Sequence, residues 1–196
     1  MRKEELISLI GMPGSGKSAI GRMLAGHLGW DFVDMDDFVQ EISGSSIPAL
    51  FNQGEAEFRR WETEACRQLC RRRRTVIACG GGVVLDPENL ILLKSGGAVV
   101  WIDRPLEHIL RDIDIQTRPL LKDGPDRVIR LYEQRKDLYR QGADWRIANT
   151  GSMEDVVSRL LQYLKGSEPN EADGDQWTQP EYAGDQGALR LRKPDL

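Results

Sequence analysis

Residues 11–18 of the 196-residue chain read GMPGSGKS, and the fold class can be inferred from them. It fits the pattern G-x-x-x-x-G-K-[ST], in which glycines let backbone N–H groups surround a phosphate at the start of a helix. An aliphatic run at 6–10 precedes it, and a helical pattern of apolar residues begins at Lys17. This position between a strand and a helix predicts a phosphate-binding loop rather than a glycine-rich turn that matches by chance.

Such a loop assigns chemistry to its last two residues. The ammonium group of Lys17 would reach the β- and γ-phosphates of a nucleoside triphosphate. The hydroxyl group of Ser18 would coordinate Mg²⁺ beside them. The loop alone does not distinguish a switch protein, a motor and a small-molecule kinase, so other residues must decide between them.

Short aliphatic runs alternate with longer amphipathic stretches along the first 165 residues, without an internal repeat. Alternation of this kind predicts right-handed crossovers and an α/β fold, in which helices cover both faces of a parallel sheet. We predict strands at 6–10, 30–33, 75–79, 98–102 and 145–148. We predict helices at 17–28, 38–42, 47–52, 54–72, 87–93, 106–112, 126–140 and 153–164.

The net charge of −4 comes from the end of the chain. Residues 166–196 carry seven acidic and three basic side chains, which leaves 24 of each sign in residues 1–165. We therefore expect a neutral domain at 1–165 and a disordered acidic tail at 166–196. A neutral domain gives no support to nucleic-acid binding, which favours a basic surface.

The remaining composition predicts a cytoplasmic protein. No apolar run reaches the roughly 18 to 20 residues needed to cross a bilayer, and the N-terminus lacks a secretory pattern, so we expect no membrane contact. The three cysteines, Cys66, Cys70 and Cys79, form no Cys-x-x-Cys pair, and no histidine stands at ligand spacing from them. We interpret them as reduced packing residues.

Two acidic residues, Asp34 and Asp36, follow the second predicted strand. An extended chain with a period of two would point both carboxylates to one side, beside the phosphate-binding loop. One could hold Mg²⁺, directly or through water, and the other could accept a proton from a hydroxyl acceptor. The alternative is a solvated turn in which Asp36 or Asp37 caps the next helix.

Three consecutive glycines, 80–82, follow the third predicted strand. A small substrate resting on exposed backbone N–H groups would explain them, and a flexible strand-to-helix turn is the alternative.

Three arginines could bind an anionic acceptor. A guanidinium group suits bidentate capture of a carboxylate, although Arg59, Arg118 and Arg135 could each be an ordinary surface charge. The segment 111–125 is rich in charge, proline and glycine, which favours a mobile lid that carries Arg118 to the phosphates. A plain surface loop is the alternative.

Six motifs in this order resemble the shikimate kinase family, from about Leu6 to Leu164. They are GMPGSGKS, Asp34-x-Asp36, Phe58-Arg59 with Glu62, the glycines 80–82, Arg118-Pro-Leu-Leu, and Arg135 before Leu138-Tyr139. The resemblance implies a fold like that of the nucleoside monophosphate kinases, with a five-stranded parallel sheet and a lid. It also implies transfer of the γ-phosphoryl group of ATP to the 3-hydroxyl of shikimate, with Mg²⁺, in the biosynthesis of chorismate and the aromatic amino acids. We expect the enzyme to be a monomer.

The resemblance also implies site residues. The ATP phosphates would be held by Gly14, Ser15, Gly16, Lys17, Ser18 and Ala19, with Arg118 in the lid and Arg111 packed on adenine. The magnesium site would use Ser18 directly and Asp34 indirectly, while shikimate would be held by Asp36, Arg59, Arg135 and the Gly81 amide. Asp36 would be the catalytic base, acting with Lys17 and Arg118.

Two departures from the family pattern bear on the nucleotide. Ala19 replaces a common threonine but leaves the Ser18 hydroxyl in place, and residues 149–153 lack the proline and the basic residue of the usual adenine loop. We therefore assign no adenine contact to 149–153. Two alternatives remain open: a P-loop kinase for gluconate or another hydroxy acid, and a nucleotide-dependent binding protein without catalysis.

Overall fold

The computed structural model describes residues 5–112 and 125–165. Most of the predicted lid, with Arg118, lies outside the described residues, and so does the acidic tail at 166–196.

Five parallel strands form one sheet in the order β2-β3-β1-β4-β5. This arrangement confirms the predicted α/β class. The strands are β1 (Leu6–Ile10), β2 (Asp31–Asp34), β3 (Thr75–Ala78), β4 (Ala98–Asp103) and β5 (Trp145–Ala148).

Helices connect the strands, as the alternating pattern predicts. They are α1 (Lys17–Leu28), α2 (Met35–Ser43), α3 (Ile47–Gln53), α4 (Glu55–Leu69), α5 (Pro87–Gly96), α6 (Leu106–Asp112), α7 (Pro125–Gly142) and α8 (Met153–Leu164), with a short 3-10 turn at Val83–Leu85. None of the helices within the described ranges is both long and apolar enough to span a membrane.

Two apolar cores cover the two faces of the sheet, and β1 contributes to both. Leu6 and Ile10 pack into one core, whereas Ile7 and Leu9 pack into the other. Because side chains alternate along a strand, a fully buried run such as Leu6–Ile10 indicates a central strand with helices on both sides.

Several predicted boundaries are wrong by one to three residues; for example, α2 begins at Met35 rather than at residue 38, and α5 ends at Gly96 rather than at residue 93. The second strand begins at Asp31 rather than at residue 30, because it pairs with β3 from Asp31 opposite Thr75. The fourth helix ends at Leu69 rather than at residue 72. There the chain turns towards β3, and Arg74 adopts a left-handed backbone with φ 50°.

The sheet order places the functional loops together. β2 and β3 lie on one side of β1, and β4 and β5 lie on the other, so the strand order reverses at β1. In open parallel sheets ligands bind at this point, beyond the carboxyl ends of the strands. The loops that follow β1, β2, β3 and β4 all meet at this edge.

Candidate active site

A cavity of about 790 Å³ opens at this edge, and its size is typical of small-molecule sites. Residues from three of the six predicted motifs, the phosphate-binding loop, Asp34-x-Asp36 and the glycines 80–82, surround it together with their neighbours. The lining residues are Pro13, Gly14, Gly16, Lys17, Ser18, Ala19, Asp34, Asp36, Asp37, Ile47, Pro48, Phe51, Cys79, Gly80, Gly81 and Asp112.

The phosphate-binding loop forms one wall. Gly14 and Gly16 adopt positive φ angles of 83° and 94°, which side-chain-bearing residues rarely adopt. Gly16 precedes α1 without a side-chain cap, so the first N–H groups of the helix are open to an anion. Lys17 is 8% exposed, and its ammonium group donates to the carbonyls of Gly11 and Met12, each at 2.9 Å.

Ser15 differs from its neighbours in the loop because it is buried and does not line the cavity. Its Oγ has no hydrogen-bond partner among the described residues. Asn149 Nδ2 donates to the Ser15 carbonyl at 2.9 Å, so Asn149, at the start of the loop 149–153, supports the phosphate-binding loop from behind.

Ser18 and Asp34 provide oxygen atoms that suit a magnesium ion. Ser18 Oγ donates to Asp34 Oδ2 at 2.6 Å, at the mouth of the cavity. A hydroxyl and a carboxylate are the hard oxygen ligands that Mg²⁺ prefers, and in phosphoryl-transfer sites substrate phosphates and water complete its shell. No cluster of three metal-binding side chains occurs in the part of the chain that the structure describes, so the fit rests on this pair.

Asp34 and Asp36 both line the cavity, but the expected reason is wrong. β2 ends at Asp34 and α2 begins at Met35, so the two carboxylates do not alternate along one extended strand. Asp34 instead caps α2, because its Oδ1 accepts a hydrogen bond from the Asp36 N–H at 3.1 Å. Asp36 lies in the first turn of α2, and Asp34, rather than Asp36 or Asp37, is the cap.

The three glycines 80–82 leave room for protein groups. A Cβ atom at Gly80 would lie 2.9 Å from Glu62 Oε1 and 3.0 Å from Asp36 Oδ1. A Cβ at Gly82 would overlap the guanidinium group of Arg59. Glycine is therefore needed at these positions because side chains of the protein pack against the backbone there. Sequence analysis predicted only a substrate contact.

Arg59 lies behind this loop in a buried ion pair. Its Nη1 donates to Glu62 Oε2 at 2.7 Å, and its Nη2 donates to Glu55 Oε1 at 2.9 Å. Glu62 is 1% exposed, and its Oε1 has no hydrogen-bond partner among the described residues. Burial raises the pKa of Glu62 above its ordinary value, although the Arg59 guanidinium opposes this shift.

Arg135 approaches the glycine loop from α7. It is 5% exposed, and its Nη1 donates to the Gly81 carbonyl at 3.0 Å. Its Nε is buried without a hydrogen-bond partner in the described ranges, so the guanidinium retains capacity for an anion. Arg59 and Arg135 therefore both border the loop of the cavity without lining the cavity itself.

Tyr139 is a site residue to which sequence analysis gave no role. Its hydroxyl donates to the same Gly81 carbonyl at 2.6 Å, and its ring stacks on Trp101 with centroids 6.0 Å apart. Burial raises its pKa to about 12, so the hydroxyl is a neutral donor at physiological pH. The spacing to Arg135, four residues on one helix, could have indicated a shared face.

Arg111, which we expect to contact adenine, is exposed at the end of α6 and does not line the cavity, although its neighbour Asp112 does. Arg104 extends to the Gly14 carbonyl from the loop after β4, and sequence analysis did not identify it. Only the strand order brings the end of β4 beside β1, so no sequence pattern indicates this contact.

Replacing Arg59 by alanine is expected to destabilise the fold by about 2 kcal/mol at pH 8 and by less at pH 5.5. The buried Glu62 would lose its cation, and its pKa would rise further. A carboxyl group with a raised pKa in the folded state stabilises the fold at low pH, and this contribution is lost as the pH rises through that pKa. Urea unfolding at the two pH values measures the difference.

Two further variants serve as controls for Arg59→Ala. Arg59→Ala/Glu62→Gln should lower the free energy of unfolding by the same amount at both pH values, because position 62 no longer carries a buried carboxyl group that titrates. Arg60→Ala removes an exposed pair with Glu57 on the same helix, and we expect a loss below about 0.5 kcal/mol. An equal deficit for Arg59→Ala at both pH values would contradict the assigned role of Glu62.

Comparison with known proteins gives consistent matches over this domain. A sequence model described as shikimate kinase matches residues 13–165. The shikimate kinase of Clostridium beijerinckii is 43% identical over 158 residues, which cover 81% of this chain and 94% of that protein.

Solved structures agree with the sequence matches. Shikimate kinase from Acinetobacter baumannii in complex with shikimate superimposes with a TM-score of 0.78 at 34% identity, covering 83% of this chain and 94% of that one. A gluconokinase from Sinorhizobium meliloti 1021 has a TM-score of 0.56 at 17% identity, with 85% and 94% of the two chains covered. That second likeness shows a common fold alone.

Proposed function

The chain belongs to the shikimate kinase family, and we propose that its cavity transfers the γ-phosphoryl group of ATP to the 3-hydroxyl of shikimate with the residues described above. The observation that carries the proposal is the joint presence of Lys17, Ser18, Asp36 and Gly81 on the wall of one cavity. Phosphoryl transfer needs little more from a protein than positioning and charge neutralisation, and this wall offers both.

The phosphate-binding loop binds the phosphates of ATP. The N–H groups at the start of α1 face the phosphates, and Lys17 exchanges its carbonyl partners for the oxygens of the transferred group. Ser18 and Asp34 are the residues that would hold Mg²⁺, which neutralises phosphate charge when bound.

Asp36 acts on the acceptor, shikimate, as the catalytic base. Its carboxylate accepts the proton of the 3-hydroxyl while the hydroxyl oxygen forms a bond to the γ-phosphorus. The bond between that phosphorus and the β–γ bridging oxygen breaks, its electron pair stays with ADP, and shikimate 3-phosphate is the second product. The Asp36 carboxylate faces Gly80, at the end of the cavity where the glycine loop begins.

Binding of the shikimate carboxylate falls to the cations behind the glycine loop. Arg135 has an unpartnered buried Nε among the described residues, and Arg59 is oriented by Glu62 and Glu55. Ile47, Pro48 and Phe51 give the opposite wall an apolar surface, which suits a carbon ring and excludes water.

An ADP-release assay coupled to shikimate tests the proposal, with product identity read by phosphorus NMR. We expect turnover with shikimate and at least about a hundredfold lower kcat/KM with gluconate, because the apolar side chains of Ile47, Pro48 and Phe51 suit a carbon ring better than an open polyhydroxy chain. ADP release that is independent of shikimate, or faster with gluconate, would reject the acceptor assignment.

The domain bounds, the oligomeric state, the location, the need for Mg²⁺ and the roles of two arginines are further proposals. We propose that residues 1–165 form the kinase domain, that the enzyme acts as a monomer in the cytoplasm, and that it needs Mg²⁺. Arg118 as the lid cation and Arg111 as the adenine contact likewise remain to be tested by mutation.

A further inference from the structure

We infer that Arg104 is a positioning residue of the nucleotide site, acting through the phosphate-binding loop and through Asp112. Its Nη1 donates to the Gly14 carbonyl at 3.1 Å, and its Nη2 forms an ion pair with Asp112 Oδ2. The inference rests on the proposed binding of the ATP phosphates at this loop.

The fold explains why Arg104 can reach the loop. It follows the last residue of β4, and β4 pairs with β1, so the loops after these two strands are neighbours. The arginine side chain is 23% exposed and extends along this boundary. No other strand end brings a guanidinium group to the Gly14 carbonyl within the described ranges.

The contact fixes the curvature of the phosphate-binding loop. Gly14 has a φ of 83°, and its carbonyl points away from the loop towards Arg104. The N–H of Ser15, on the other side of the same planar peptide, donates to the Met12 carbonyl at 3.1 Å. The carbonyl and the N–H of the Gly14–Ser15 peptide are therefore both hydrogen-bonded, directly before Gly16 and the start of α1.

The ion pair affects the charge of the nucleotide site. Asp112 lines the cavity beside the loop and is half exposed. Without Arg104 its carboxylate would lose this ion pair on the wall that receives the phosphates, and like charges at short range repel. Arg104 therefore both shapes the loop and neutralises an acid that would oppose nucleotide binding.

The test measures ADP affinity by calorimetry, together with the KM values for ATP and shikimate. We expect Arg104→Ala to weaken ADP binding and to raise the KM for ATP by about tenfold each, with the KM for shikimate within twofold of the unaltered chain. Arg104→Lys keeps a cation but loses the two-pronged contact, and its ADP affinity should be intermediate. Arg140→Ala, on the exposed side of α7, is the control and should change none of these values.

The double variant Arg104→Ala/Asp112→Asn isolates the effect of the charge. It should recover part of the lost ADP affinity, because the Asp112 carboxylate is gone while the Gly14 carbonyl remains unheld. ADP affinity within twofold of normal in both Arg104→Ala and Arg104→Lys would overturn the inference, as would an equal rise in both KM values. If Arg104→Ala does not fold, the lysine variant alone decides. An unaltered chain that binds no ADP would overturn the proposed phosphate site, and the inference with it.

Discussion

Replacing Asp36 by asparagine is expected to lower kcat by on the order of 10³-fold, while ADP binding stays within about twofold of normal. Asparagine preserves the shape and most of the contacts of the side chain, but it cannot take up the proton of the attacking hydroxyl. Asp36 lies in the first turn of α2 and faces Gly80, apart from the phosphate-binding loop, so the loop should bind nucleotide unchanged. Steady-state kinetics with ATP and shikimate, and calorimetry with ADP, measure the two quantities.

Asp37→Asn is the matched control for Asp36→Asn. It removes the same charge from the same turn of the same helix, and Asp37 also lines the cavity. Both variants lose the same favourable interaction with the helix dipole, about 0.3 to 1 kcal/mol. If Asp37→Asn lowers kcat as much as Asp36→Asn does, the effect comes from the loss of negative charge near the helix start and not from a catalytic base. Near-normal turnover of Asp36→Asn would remove Asp36 from the mechanism.

The fold could be predicted because its signals are local. Leu6–Ile10 is short and aliphatic except for Ser8, as expected of a strand that is buried on both faces. The bounds of α1, α6 and α8 follow from their amphipathic patterns, and those of β1 and β5 agree with the prediction to the residue. The wrong boundaries at Asp31 and Leu69 depend on strand register and on the turn at Arg74, which involve residues far apart in sequence.

The candidate site was predictable only where a motif is contiguous. GMPGSGKS specifies its own backbone conformation, so Lys17 and Ser18 could be assigned from sequence. Asp34 and Asp36 were assigned to the right cavity by the wrong geometry, since a helix cap and an extended strand can place two carboxylates on the same side.

Contacts between distant residues gave no sequence signal. The pair of Arg59 with Glu62 lies within one helix, but the burial of Glu62 depends on Gly80, which folds over it from another loop. The contact of Arg104 with Gly14 spans 90 residues. Such contacts depend on the order of the strands, which periodicity alone does not determine.

Replacing Arg135 by alanine is expected to lower kcat/KM for shikimate by about 10²- to 10³-fold, mainly through KM, while the affinity for ADP is unchanged. Arg135 is a buried cation with one hydrogen bond to the Gly81 carbonyl and an unpartnered Nε among the described residues. The Tyr139 hydroxyl still donates to that carbonyl in the variant, so the glycine loop keeps one of its two donors and the fold should survive. Kinetics at varied shikimate, with ATP held saturating, give the two parameters separately.

Lys136→Ala provides the control on the next residue of α7, where the ammonium group pairs with Glu133 at the surface. We expect its kcat and KM to stay within twofold of normal, because an exposed pair of this kind contributes little. Arg135→Lys should recover only part of the loss, since an ammonium group retains the charge but cannot bind a carboxylate through two parallel hydrogen bonds. A KM for shikimate that is unchanged in Arg135→Ala would exclude this cation from binding the carboxylate. A matching loss of ADP affinity would mean that α7 supports the whole cavity rather than the acceptor end alone.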